Sequence, residues 1–276
     1  MSEGNDAQIQ FWNGAGGETW VRAQVRLDAM LAPVSEAVLE HAGALDGQRV
    51  LDVGCGCGAT SLEAVARGAA HVHGVDVSEP MLALARTRAG GDTRLAFSVA
   101  DAAVAEFDAA YDLILSRFGV MFFADPVAAF ANLRGALCDG GQLCFVCWQA
   151  PRANPWVSVA GAAIQPFLPP PEAPADPKAP GPFAFADAAY VERTLSEAGF
   201  AEVALTSFET PLHLADDLDE AIDFQGQVGP LARVLAELDS SARADAIAAA
   251  RAALEPYLGP NGLYLGAACW LVSAKR

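Results

Sequence analysis

The stretch RVLDVGCGCGATSLEAVARGAAHVHGVDVSEPMLALAR, from Arg49 to Arg86, decides the fold. It opens on a short apolar run, Val50-Leu51-Asp52-Val53, which reads as a buried strand. Gly54-Cys55-Gly56-Cys57-Gly58 follows, a loop able to bring bare backbone close to a ligand. Thr60 to Arg67 reads as a helix, with Leu62, Val65 and Ala66 on one face. A second strand, His71 to Val75, ends in Asp76. A strand, a glycine loop, a helix and a strand closed by an acid form the unit that holds nucleoside cofactors.

Two cofactors fit this outline. Gly54-x-Gly56-x-x-Ala59 matches the dinucleotide fingerprint, with Asp76 at the distance that serves a ribose. Asp52 argues for the other. A carboxylate two residues before the first glycine would face the pyrophosphate of NAD, and like charges there cost energy. S-adenosylmethionine (SAM) carries a sulfonium and an ammonium instead, and an acid suits both. An NAD-dependent oxidoreductase is therefore the weaker alternative, and a non-catalytic SAM-binding protein is a second one.

Val50 to Gly58 resembles motif I of the class I SAM-dependent methyltransferases. The resemblance continues through Gly74-Val75-Asp76-Val77-Ser78, Met81, Asp101-Ala102, Tyr111 to Phe123, and Gly140-Gly141-Gln142-Leu143. It covers about Phe11 to Trp156 and weakens beyond. The sequence is similar to bacterial small-molecule methyltransferases related to the ubiquinone and menaquinone methylases. This implies an α/β fold: a Rossmann-like, mostly parallel seven-stranded sheet with an antiparallel last strand, plus a helical lid insertion.

The resemblance also implies a site. Gly54, Cys55 and Gly56 are expected to meet the methionine part by backbone, with Asp52 close by, and Asp76 and Val77 to hold the ribose. Met81, Asp101 and Ala102 are expected at the adenine. Ser116, Arg117 and Phe118 end the fourth strand, next to the reacting methyl, and Phe118 or Trp148 is a candidate to stack near the sulfonium. In similar enzymes an N-terminal helix closes over the cofactor, which brings in Trp12 and Trp20. Two residues are catalytic candidates. His213 sits near a strand end and is of a type that titrates near neutrality. Arg117 suits an anionic substrate oxygen, or equally a carboxylate partner. An enzyme without a protein base is a further possibility, when the substrate arrives ionised. No metal motif is present, and no metal is expected.

Composition narrows the partners. The chain has 276 residues, 53% hydrophobic, enough for a sizeable core. Its formal net charge is -17 and it lacks any Lys/Arg cluster. Nucleic acid and anionic membrane are thus poor partners, and a small-molecule acceptor is expected. Met1 to Gln8 is polar and acidic, unlike a leader, and no apolar run of about 20 residues occurs. A cytoplasmic location is expected, with six cysteines reduced and behaving as small hydrophobes. Cys144 and Cys147 mimic a metal pair, but on a strand they point to opposite faces.

The remaining elements follow in order. N-terminal helices are expected over 11–46, one reaching Ala32 with Thr19 as its N-cap, a second from Pro33 to Ala44. The core takes 47–148, 187–214 and 263–276 of a single domain. Its third to fifth strands are Leu95 to Ala100, Tyr111 to Ser116 and Gln142 to Trp148, with helices from Glu79 and from Pro126 to Leu137. Asp187 is expected to cap a helix, Val203 to Leu214 and Leu263 to Ala274 to form strands. The loop 165–185 holds eight prolines and cannot be regular helix or central strand. With two or three helices over 216–258 it is expected to form a lid, with Phe167, Phe183, Phe185, Phe224 and Gln225 at an acceptor pocket.

Overall fold

A computed structural model describes residues 5–108, 110–168, 176–228, 232, 235 and 238–276. They group into two compact units. The first takes the chain up to Trp148, with Pro177–Phe208 and Cys269–Arg276; the second takes Gln149–Asp176 and Glu209–Ala268.

The sheet order is β3(Leu95–Val99), β2(His71–Asp76), β1(Arg49–Val53), β4(Tyr111–Arg117), β5(Leu137–Trp148), β8(Gly262–Lys275), β6(Ala201–Ala215). A two-residue strand, β7(Leu258–Gly259), pairs with β8 as an eighth member. β1 to β5 run parallel, with Val50 opposite Val72 on one side and Leu113 on the other. β8 runs antiparallel to β5, from Gln142 opposite Lys275 to Trp148 opposite Cys269. The mostly parallel α/β sheet with an antiparallel last strand is thus present, widened by β7.

β1 and β4 read as near-continuous apolar runs because neighbours lie on both edges and layers on both faces. β5 shows the layers. Cys144 Sγ contacts the Val38 carbonyl, in α3(Gln24–Ala42), while Cys147 Sγ contacts the Phe185 carbonyl. Phe145 stacks on Phe130 of α6(Pro126–Ala136), and Phe185 completes that cluster. The two cysteines do face opposite ways. None of the six cysteines is joined in a disulfide.

The N-terminal region corrects two expectations. There are three helices, α1(Asp6–Asn13), α2(Ala15–Arg22) and α3, and the third runs straight through Pro33. An interior proline costs a helix about 3 kcal/mol. Burial of Leu27, Met30, Leu31, Val34 and Val38 offsets that, each side chain contributing roughly 1.5–3 kcal/mol. Thr19 is not an N-cap: it lies inside α2 and accepts a hydrogen bond from Arg22.

The glycine loop leads into α4(Ala59–Ala66), and Ser78 into α5(Glu79–Ala89), which carries Pro80 in its first turn. Asp187 Oδ1 accepts from the Ala189 amide and caps α8(Ala188–Glu197), as expected.

In the second unit, α7(Pro155–Ile164) packs on α10(Ser240–Leu254), which also meets α9(Leu218–Gln225). α7 was not anticipated. Buried Asn154 holds its start, accepting from Trp156 Nε1 and the Ala268 amide. Gln165–Phe167 forms a short 3-10 turn, and 169–175 of the proline-rich loop lie outside the described residues. Among the described residues no helix is long and apolar enough to cross a membrane.

Candidate functional site

The site is built where β1, β2, β3 and β4 end. Gly54, Gly56 and Gly58 have φ of 67°, 54° and 81°, the left-handed region that a side chain resists. A Cβ on Gly54 would also lie 2.6 Å from the Cα of Gly119, so the tips of β1 and β4 close to backbone contact. Ser116 Oγ pins them, donating to the Val53 carbonyl at 2.7 Å and accepting from the Gly119 amide at 3.1 Å. The Ser116 hydroxyl is therefore committed to the fold.

The loop's amides are spent internally. Gly54 N and Cys55 N donate to the Val75 carbonyl at 2.8 and 3.1 Å, and Gly56 N donates to Asp76 Oδ2 at 2.9 Å. A pyrophosphate cradle needs such amides free. The start of α4 also has an acid beneath it. Asp52 Oδ2 accepts from Thr60 Oγ1 at 2.7 Å and Ser61 Oγ at 2.6 Å. Its Oδ1 is buried and has no hydrogen-bond partner among the described residues. Burial raises the Asp52 pKa; the two hydroxyls and Arg117 pull it back. Three amides of the loop are thus unavailable to a phosphate.

Asp76 closes β2. Oδ1 accepts from the Ser78 amide at 2.9 Å, while Oδ2 holds Gly56. Burial is the main cause that pushes its pKa up to about 6, against the pull of the Ser78, Gly56 and Val77 amides. The carboxylate keeps lone-pair capacity for a further donor. The neighbouring thiols are inert. Burial drives Cys57 up to about 12 and Cys55 well above its ordinary value, so neither supplies a thiolate near neutrality.

Beside the loop lies a charged cluster whose Arg88 and Asp28 the sequence reading missed. Arg88 Nη1 donates to the Cys57 carbonyl at 2.6 Å, and its Nη2 pairs with Asp28 Oδ2 at 2.7 Å. Arg117 Nη1 donates to Ser35 Oγ at 2.9 Å. Burial lowers the Arg117 pKa, and the charges of Asp28 and Asp52 oppose that. Arg88 occupies the last turn of α5, where a basic residue looks like an ordinary helix end.

At the far end, Met81 is buried; its Sδ lies 3.7 Å from a Cβ built on Gly56. Asp101 follows β3. Its Oδ1 accepts from the Ala103 amide at 3.0 Å and its Oδ2 from Asn5 Nδ2 at 2.7 Å. Ala102 is buried, with its carbonyl taken by Asn132.

α1 spans these strand ends and is held at both termini. Asn5 ties its start to Asp101, 96 residues away. At its end, Asn13 Nδ2 donates to the Val77 carbonyl at 2.7 Å, and Ser78 Oγ donates to the Trp12 carbonyl at 2.6 Å. Trp12 packs edge-on against Trp20 and Phe122. Phe118 stacks on Trp148 at 4.1 Å with the rings 12° apart, and its φ of 68° is a left-handed value rare for a bulky residue.

The first unit thus gathers Asp52, Gly54, Cys55, Gly56, Asp76, Val77, Met81, Asp101, Ala102, Ser116, Arg117, Phe118, Trp12 and Trp20. His213 belongs to the second. Its ring tilts over Tyr264 at 4.8 Å, and its Nε2 lies 3.3 Å from Asp216 Oδ1. Gln225, buried there, donates to the Trp156 carbonyl.

Residues 50–141 match a family model described as a methyltransferase domain. Aklanonic acid methyltransferase DauC of Streptomyces sp. (strain C5) is 32% identical over 152 residues, 53% of this chain and 64% of that protein. Demethylmenaquinone methyltransferase of Clavibacter sepedonicus is 38% identical over 98 residues, 35% of this chain and 40% of that one. The chain thus spans less than two thirds of these relatives' length. Phosphoethanolamine N-methyltransferase 2 of Haemonchus contortus, solved with phosphomonomethylethanolamine and S-adenosylhomocysteine (SAH), shares the fold. Its TM-score is 0.54 over 88% of this chain and 53% of that one, at 21% identity.

Proposed function

Because residues 50–141 are a class I SAM-dependent methyltransferase domain related to the quinone methylases, we propose that this chain transfers a methyl group from SAM to a small-molecule acceptor. The domain is that of an enzyme, and its cofactor is SAM. One observation carries the fit: the amides of Gly54, Cys55 and Gly56 are spent, and the acids Asp52 and Asp76 are buried beside them. That set suits a cationic, phosphate-free nucleoside and disfavours NAD.

Bound SAM supplies a methyl carbon on a sulfonium, open to direct displacement. Asp76 accepts the ribose hydroxyls with its remaining lone pairs. The Asp52 charge, two residues before Gly54, favours the cationic end. Arg117, the last residue of β4, and Arg88 offer positive charge to a carboxylate. Phe118, fixed by its stack on Trp148, excludes water beside the reacting centre. The Trp12–Trp20 pair on α1 and α2 covers the ribose side.

The second unit is assigned the acceptor. His213 is its candidate base, with Asp216 orienting Nε2 and leaving Nδ1 for a proton. The relatives' names point to small organic acceptors, and a net charge of -17 opposes nucleic acid. The test is incubation with methyl-labelled SAM and a panel of phenolic, quinol and polyketide-type acids, read by product mass spectrometry. A labelled product supports the reading; label moving to tRNA or DNA instead overturns the acceptor class.

A further inference from the structure

Asn5 is the N-cap residue of α1, yet its side chain makes no cap hydrogen bond. An asparagine there normally accepts from an amide of its own first turn. Instead its Nδ2 reaches Asp101 Oδ2 at 2.7 Å. The residue is only 5% exposed, and its Oδ1 is buried with no hydrogen-bond partner among the described residues. A buried amide oxygen left unpaired costs about 1–3 kcal/mol, so its position calls for a donor.

The donor must suit two acceptors. Asp101 keeps lone-pair capacity beyond the Ala103 amide and Asn5 Nδ2, and Asn5 Oδ1 belongs to the amide bonded to it. An exocyclic amino group carries two hydrogens and satisfies both. A keto oxygen at the same place meets acceptors only. We propose that Asn5 is a further cofactor-binding residue, whose Oδ1 takes one hydrogen of the adenine amino group while Asp101 takes the other. This rests on the assignment of Asp101 to the adenine. It makes the start of α1 a specificity element as well as a cover, because the bond to Asp101 orients the amide.

The test compares two ligands by calorimetry: SAH, and its analogue with unsubstituted purine in place of adenine. Asn5→Ala should bind SAH about five- to tenfold more weakly, one neutral hydrogen bond, with the purine analogue unchanged. Unchanged or tighter SAH binding would overturn the proposal, leaving Asn5 a mere partner of Asp101. Equal weakening of both ligands would overturn it too, as loss of α1 packing. Asp101→Ala separates the premise. If it weakens SAH selectively while Asn5→Ala does not, the Asn5 role alone fails. If neither variant discriminates, the adenine lies elsewhere and both assignments fall.

Discussion

Asp76 Oδ2 accepts the Gly56 amide at 2.9 Å, so the acid that closes β2 also holds the glycine loop. Its charge is costly there. A pKa of about 6, against 3.8 in the unfolded chain, means the folded state favours the protonated form. This group's contribution to stability therefore declines as pH rises from about 4 through about 6, with the full deficit above.

Ligand binding carries the opposite sign. In the proposed site, ribose hydroxyls would donate to the carboxylate and favour its ionised form. SAH affinity should rise from pH 5 to 7 with a midpoint near 6, then level off. Calorimetry across that range in wild type and Asp76→Asn checks this. A wild-type profile as flat as that of the variant would sink the role of Asp76 charge.

Gly54→Ala should destabilise the first unit by about 2–4 kcal/mol. The new Cβ would meet the Gly119 backbone at 2.6 Å, and φ of 67° is unfavourable for alanine. Thermal melting measures the effect. Gly140→Ala, also at positive φ but with nothing within 4 Å of its Cβ, should cost only about 1 kcal/mol.

His213→Gln should lower kcat on the true acceptor by about a hundredfold or more, the usual worth of a general base. SAH affinity should hold, since every assigned cofactor residue lies in the first unit. A kcat within a few-fold of wild type would reduce His213 to a packing partner of Tyr264.

The strand and glycine-loop backbone was largely legible because its signals are local. Val50–Val53, the three glycines and Asp76 lie within one short unit, and each shapes its own backbone. The parts that escaped act across the chain. Asn5 matters only because β3 delivers Asp101 to it, and Arg88 only because α5 folds over Cys57. Pro33 misled because local propensity forbids what burial along α3 sustains. For α7 a signal did exist. Asn154-Pro155 is an N-cap followed by proline at the first helical position, hidden by the small-residue composition after it.

The most direct measurement is calorimetric titration of the protein with SAH and with NAD, repeated on Asp76→Ala. The account predicts that SAH binds, that NAD does not, and that the substitution weakens SAH by roughly 2–4 kcal/mol, the worth of two charged hydrogen bonds. NAD binding at comparable affinity, or SAH binding indifferent to Asp76, would contradict it.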